Sequence, residues 1–483
     1  MWSLLVCALL AISYCYAEKI IIVGAGAAGI ATAARLLEHN VTDFRILEAE
    51  GRIGGRIHSL QIGDAYVDIG AQYVHGQKGN TVYELSKAYL KKGKDFDKAL
   101  LYYGSTMKTG NTLLDEFISL AEETTYTNVN VSIGEAFSSR YNATCLKKYK
   151  DDLKMLTYSH DFLRTIECII LTVDGAFSWN KISSMSNFKF QSGENFLQWD
   201  GLGYKTILDL LLKNYPQKTG YNIDNQLSLE KTVTRIILKN NSVKLKCKDG
   251  SEYSSDHVVF TPSLGVLKHE HKNLFMPRLE RPKVDAIEDL GFDGVIKVIL
   301  EFATPWWGKH DDFFLVWNEE KRNNLAKDIP FGPTKDGDHW LSWFYLVGTS
   351  PKNSKALVGW ILGPMVPEVE KLSEDQMKTG VMYALKTFLG KDFDITEPTK
   401  VIHSKWYMNP NIRGAYSYET LISKKHDPSA QEALAEPITA KDGVPRILFA
   451  GEATSSHRFA TVDGAIETGY READRLLKIL KVK

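Results

Sequence analysis

An α/β protein is what the sequence predicts, with a parallel sheet assembled from separated stretches of chain and a second, mixed-sheet α+β domain. Three observations predict it. Near the start, the β-branched run Lys19 to Val23 leads into Gly24-Ala25-Gly26-Ala27-Ala28-Gly29 and then into the Ala- and Leu-rich stretch Ile30 to His39, which reads as strand, glycine turn and helix. Near the end, Arg446 to Ala450 reads as a buried strand running into Gly451-Glu452, with a helix over Gly464 to Leu480. Between them, Thr232 to Phe260 has the spacing of hairpin strands, with a Lys248-Asp249-Gly250 turn. A unit begun at residue 19 and finished near 480 requires interleaved domains. The expected division is 18–80, 200–285 and 395–483 for the first domain, and 81–199 and 286–394 for the second.

The ordinary hydrophobic share, 44% of 483 residues, allows a large core and more than one domain. Lys plus Arg equals Asp plus Glu at 59 each, so no global field attracts nucleic acid or an anionic membrane. Residues 1–17 are apolar and end in small residues at Cys15 and Ala17, the pattern of a signal peptide cleaved after Ala17, and the mature protein is expected to be secreted. Its removal leaves Cys145, Cys168 and Cys247, with no metal-ligand spacing. Asn40, Asn130, Asn142 and Asn240 each open an Asn-x-Ser/Thr triplet, which suits a secretory route.

The first element pair carries chemistry. Gly24 permits the tight turn off the strand, Gly26 and the neighbouring Ala28 let backbone N–H groups approach a pyrophosphate, and Gly29 lets the helix pack closely on the sheet. The helix start faces the phosphates with its positive end. A second strand, Phe44 to Leu47, ends at Glu48, where a carboxylate accepts hydrogen bonds from an adenosine ribose. The unit is therefore Rossmann-like. From Val82 to Tyr204 the pattern suggests mostly helices and loops. Val295 to Phe302, Leu341 to Val347 and Ala356 to Leu362 read as strands, and Glu374 to Phe388 as a helix.

Glu48-Ala49-Glu50-Gly51-Arg52-Ile53-Gly54-Gly55-Arg56 and, at the other end, Phe449 to Thr454 with Thr461 to Gly469 resemble the signature segments of the flavin-containing amine oxidases. The resemblance implies FAD, with Arg52, Gly54, Gly55 and Arg56 along the pyrophosphate and ring, Glu452 and Val462 at the C-terminal cofactor segment, and the Val233 backbone at the adenine. Covalent attachment through a cysteine near Arg413 to Tyr418 is excluded, because no cysteine follows Cys247.

By the same resemblance Lys297, alone in an apolar strand, holds a water near the flavin, and His75 occupies the substrate-side position of the polyamine branch. Trp406 and Tyr416 match aromatic positions flanking the ring. Thr461 stands where many relatives have a second aromatic, and Asp463 where the polyamine branch has a histidine. Glu194 and Asp200 are candidates for distal ammonium groups. The implied reaction is oxidation of a polyamine by oxygen with release of hydrogen peroxide. A secreted L-amino-acid oxidase, needing an arginine for which Arg413 is the ready candidate, and a catalytically idle FAD-stabilised binding protein are the alternatives.

Overall fold

The computed structural model describes residues 15–93, 98–108 and 129–482, together with 116 and 119. Most of the predicted signal segment lies outside them. Five mutually parallel strands form the centre of a nine-stranded sheet, in the order Leu227–Ser228, Phe44–Leu47, Cys15–Val23, Glu252–Phe260 and Pro445–Phe449. Glu252–Phe260 is shared. Its N-terminal half pairs with the antiparallel strand Val243–Cys247, and its last three residues pair with Ile447 to Phe449, so the sheet forks there.

Alternation explains why this sheet is buried on both faces. Ile20 and Ile22 point into one apolar layer with the helices Ala27–Glu38 and Val462–Ile479, while Ile21 and Val23 point into the other with Leu264–Leu274 and Ala430–Ala435. The helices of the first layer touch at Gly469, where a Cβ would stand 2.4 Å from the Ala28 carbonyl oxygen. The residues at the two ends of the chain thus fold as one unit.

The second sheet has seven strands, in the order Lys400–His403, Ile296–Glu301, Asn353–Ile361, Phe344–Ser350, Asp312–Val316, Leu100–Tyr103 and Thr106–Lys108. Two differences from the sequence reading stand out. Lys400–His403 pairs with Ile296–Glu301, so a stretch placed from residue 395 in the first domain contributes to the second sheet. Leu100–Tyr103, expected among helices and loops, joins the sheet through parallel pairing with Asp312–Val316. The long helices Ile133–Lys148 and Leu153–Asp174 cover this sheet's core together with Glu374–Leu389. Leu341, predicted in a strand, lies in the short 3-10 turn Trp340–Trp343 that precedes one.

Candidate active site

The glycine turn is built as its spacing predicts. Gly24 has φ +98°, which disfavours a side chain, and a Cβ on Gly29 would stand 2.0 Å from the Gly24 carbonyl oxygen. Gly26 opens the helix without a side-chain cap, whereas Asn80, Ser132, Ser263 and Ser373 each cap a helix elsewhere in the chain. The N–H groups of that first turn, at Gly26, Ala27 and Ala28, are thus left for an anion.

Glu48 is buried at the strand end. One carboxylate oxygen accepts from Ala25 N at 2.6 Å and the other from Glu50 N at 2.8 Å. Burial raises its pKa, and those two N–H groups oppose the rise. Lys231 N donates to the Glu48 carbonyl at 2.7 Å, which brings the chain leading into Val233 beside the same strand end.

The arginines hold the cradle together. Arg52 donates to the carbonyls of Ile53, Ile57 and Gly55 and pairs with Glu50 at 3.0 Å, fixing the Gly54-Gly55 loop, which is bridged to Gly26. Arg56 donates to Glu452 and to the Ala415 carbonyl, both at 2.8 Å. Glu452 takes further hydrogen bonds from Ser417 Oγ at 2.6 Å and Ala460 N at 2.7 Å. The resemblance implies Glu452 at the C-terminal cofactor segment, and its two oxygens form a clasp joining the N-terminal motif to the C-terminal one. Val462 begins the last helix, capped by Thr461 Oγ1, which accepts from Gly464 N at 3.1 Å and donates to the Arg458 carbonyl at 2.7 Å. The Thr461 hydroxyl thus fixes the entry to the last helix.

Lys297 reaches from the second sheet to the first domain. Its Nζ donates to the carbonyls of Asp68 and Gly70 at 3.1 and 2.7 Å and to Gln72 Oε1 at 2.8 Å. Burial lowers its pKa and the Asp68 carboxylate opposes the shift, while Asp68 is itself raised by burial against its bonds from Ser59 Oγ and Tyr204 N. His75 Nδ1 lies 2.6 Å from the Asn195 carbonyl, so that nitrogen carries the proton and the neutral ring presents Nε2 as an acceptor. Burial pushes the His75 pKa down and favours this neutral form.

Trp406 Nε1 donates to the Ile69 carbonyl at 3.2 Å, next to the carbonyls that hold Lys297. The Tyr416 hydroxyl donates to the Thr172 carbonyl at 2.5 Å. Tyr73, His75, Lys297 and Tyr416 are each partly buried.

Two expectations need correction. Asp200 is matched by two lysines, Lys91 at 2.8 Å and Lys352 at 2.9 Å, which lower its pKa and leave no charge for an ammonium ligand. Glu194 is an exposed partner of Lys92 at 3.4 Å. Asp463, which stands where the polyamine branch has a histidine, is buried and paired with Arg458 at 2.7 Å. Arg458 carried no sequence signal, yet it also reaches the carbonyls of Lys189 at 2.8 Å and His75 at 3.4 Å.

The geometry thus combines a dinucleotide cradle with a half-buried lysine held on the Asp68 to Gln72 segment beside Trp406. The family model for flavin containing amine oxidoreductases matches residues 27–477. The chain belongs to that family. Among curated proteins, this amine oxidase is 27% identical to the probable polyamine oxidase 5 of Arabidopsis thaliana, covering 96% of this chain and 98% of that one. It is 26% identical to the human peroxisomal N(1)-acetyl-spermine/spermidine oxidase, covering 95% of each, and 26% identical to polyamine oxidase 1 of Zea mays, covering 96% of this chain and 91% of that one. A solved putrescine oxidase triple mutant, made to redesign cofactor binding, superposes with a TM-score of 0.65 at 17% identity, over 96% of this chain and 100% of its own. That last likeness establishes the fold.

FAD is the cofactor the family implies, and the residues present fit it: an uncapped glycine turn, a buried carboxylate at the ribose end of the next strand, and a C-terminal helix starting at Val462. Asp68, Gln72 and Arg458 are the contributors that sequence reasoning missed. Asp68 and Gln72 lie shortly before His75 in sequence, but nothing in a single sequence shows that Lys297 folds onto that stretch.

Proposed function

We propose that the protein oxidises polyamines such as spermine, spermidine or an acetylated form at a C–N bond. Amine, oxygen and water would give an aminoaldehyde, a shorter amine and hydrogen peroxide. The supporting observation is that Lys297 and Trp406 bond neighbouring carbonyls of the segment that leads to His75, and these groups with Tyr416 suit an apolar chain carrying nitrogen. Bound FAD supplies the two-electron oxidation and passes the electrons to oxygen. The protein's part is to orient the carbon, hold protons and exclude water. Lys297 manages a proton at Nζ, and His75 Nε2 accepts a hydrogen bond from the substrate nitrogen.

The amino-acid-oxidase alternative loses its anchor. Arg413 lies in an outer cleft with Lys181, Lys268 and His269, near Glu270 at 3.8 Å. Mixing the protein anaerobically with spermine, N-acetylspermine, a monoamine and an L-amino acid tests the assignment. Loss of flavin absorbance with a polyamine, restored by air with peroxide release, is expected; bleaching by the amino acid alone refutes the polyamine reading.

The relatives' polyamine oxidase names support this substrate class. We also assign FAD as non-covalently held, because Cys145, Cys168 and Cys247 are all buried free thiols in the described structure and none follows in sequence. Acid precipitation should leave all the yellow colour in the supernatant, and colour in the pellet contradicts the assignment.

Secretion belongs to the same proposal. Asn40, Asn130, Asn142 and Asn240 are all exposed, and material from a eukaryotic secretory host is expected to lose mass on treatment with an N-glycosidase. An unchanged mass counts against it. Among the described residues no helix is long and apolar enough to cross a membrane.

A further inference from the structure

A short loop, 404–409, runs from Lys297 to the dinucleotide cradle and is tied at three places. At its start, Lys297 N donates to Ser404 Oγ and Ser404 N donates to the Lys297 carbonyl, both at 2.9 Å. At its end, Asn409 Nδ2 donates to Glu50 Oε1 at 2.6 Å, on the same carboxylate that pairs with Arg52. The third tie is Glu370, which follows the short helix Val366–Val369. One of its oxygens accepts from Tyr407 N at 3.0 Å and the other from Met408 N at 2.7 Å. Trp406 stands between the first tie and this one, and its Nε1 donates to the carbonyl of Ile69, flanked in sequence by the two carbonyls that hold Lys297.

A carboxylate is costly to bury at this position. Glu370 is 1% exposed and, among the described residues, forms no ion pair. Burial pushes its pKa up to about 7, and the N–H groups of Met408, Tyr407 and Trp406 oppose the rise. An apolar side chain would fill the space without that penalty, but only a carboxylate offers an acceptor oxygen to each of two successive backbone N–H groups. Successive N–H groups converging on one anion set the backbone angles of their turn, and so the direction of the side chain that precedes them, Trp406.

We propose that Glu370 is a positioning residue, which holds the 406–408 turn so that the Trp406 indole stands beside the flavin. This rests on the amine-oxidase resemblance that places Trp406 at the ring.

Flavin fluorescence of the holoenzyme tests it, because a tryptophan beside an excited flavin quenches it by donating an electron, whereas phenylalanine does not. Wild type, Glu370→Gln, Trp406→Phe and the double variant are compared, and kcat/KM for spermine is measured on the same samples. Glu370→Gln keeps the volume and replaces one acceptor oxygen with a donor. Each single variant is expected to brighten the flavin and to lower kcat/KM about tenfold, the size of one lost hydrogen bond. The double variant should match Trp406→Phe alone in both readouts, since two residues acting through one indole do not add. If Glu370→Gln yields no holoenzyme, Asn409→Ala, which frees the loop at its other end, replaces it in the same comparison and is held to the same outcomes. Losses that multiply in the double variant, or a Glu370→Gln flavin as dim as the wild type, overturn the proposal. A Trp406→Phe flavin as dim as the wild type overturns it together with the placement of Trp406. A wild type that spermine does not reduce refutes the polyamine reading alone, and the fluorescence comparison still decides the role of Glu370.

Discussion

Replacing Lys297 by Met is expected to lower kcat/KM by about 10² to 10⁴, the range for losing a positioned acid–base group, while the purified variant still carries FAD. Both halves of the expectation come from the same contacts. Nζ donates to Asp68 O, Gly70 O and Gln72 Oε1, all on one segment that runs from the first domain into the site. With three donors engaged it is an ammonium; as a neutral amine it keeps two N–H groups and gains a lone pair that can hold water or accept a proton. Burial places that change below the ordinary lysine range, so the neutral fraction grows with rising pH. Substrate amines also become reactive as they lose a proton, and wild-type turnover should therefore rise between about pH 6 and 9. In Lys297→Met the contribution from the lysine should vanish and leave the substrate's alone. Stopped-flow absorbance over a range of amine concentrations up to saturation, across that pH range, measures both; a variant within about threefold of wild type, with an unchanged profile, sinks the assignment.

Why Lys297 was legible and its partners were not follows from how each signal is written. Lys297 is conspicuous within Ile296–Glu301 because the residues on either side of it, Ile296 and Val298 to Leu300, are apolar. The three acceptors lie more than 200 residues earlier in the chain, and two of them are backbone carbonyls that any side chain could have carried. The glycine turn and Glu48 were readable for the opposite reason: their constraints are local, and a φ of +98° at Gly24 or a helix packed against its own preceding turn at Gly29 must be paid for in residue type at that position. The same distinction runs through the fold. The strand Phe44–Leu47 matches its predicted bounds and Val233–Leu238 and Val243–Cys247 fall within the stretch read as hairpin strands, whereas Leu100–Tyr103 becomes a strand because Asp312–Val316 lies alongside it. Glu194 and Asp200 misled because a carboxylate's partners, here Lys92, Lys91 and Lys352, cannot be read from its own neighbourhood in sequence.

Arg458→Met and Asp463→Asn should each destabilise the protein by about 3–5 kcal/mol, the cost of leaving one member of a buried ion pair without the other. The two side chains are 7% and 5% exposed and meet at 2.7 Å, so little water reaches either charge. Arg458 also stacks over Phe188 at 4.9 Å and donates to the carbonyls of Lys189 and His75. These additional contacts separate stability from function. Replacing both members with apolar residues of similar volume, as Arg458→Met with Asp463→Leu, removes the unpaired charge and should recover most of the lost stability. It should not recover substrate affinity, because the carbonyl of His75 would keep Asn80 Nδ2 at 2.9 Å but lose Arg458. The expected signature is a thermal midpoint that falls in each single variant and largely returns in the double one, with KM for the polyamine raised in the double variant and kcat little changed. A KM that returns with the thermal midpoint would show that Arg458 serves folding alone and that the backbone of His75 is held by Asn80 without its help.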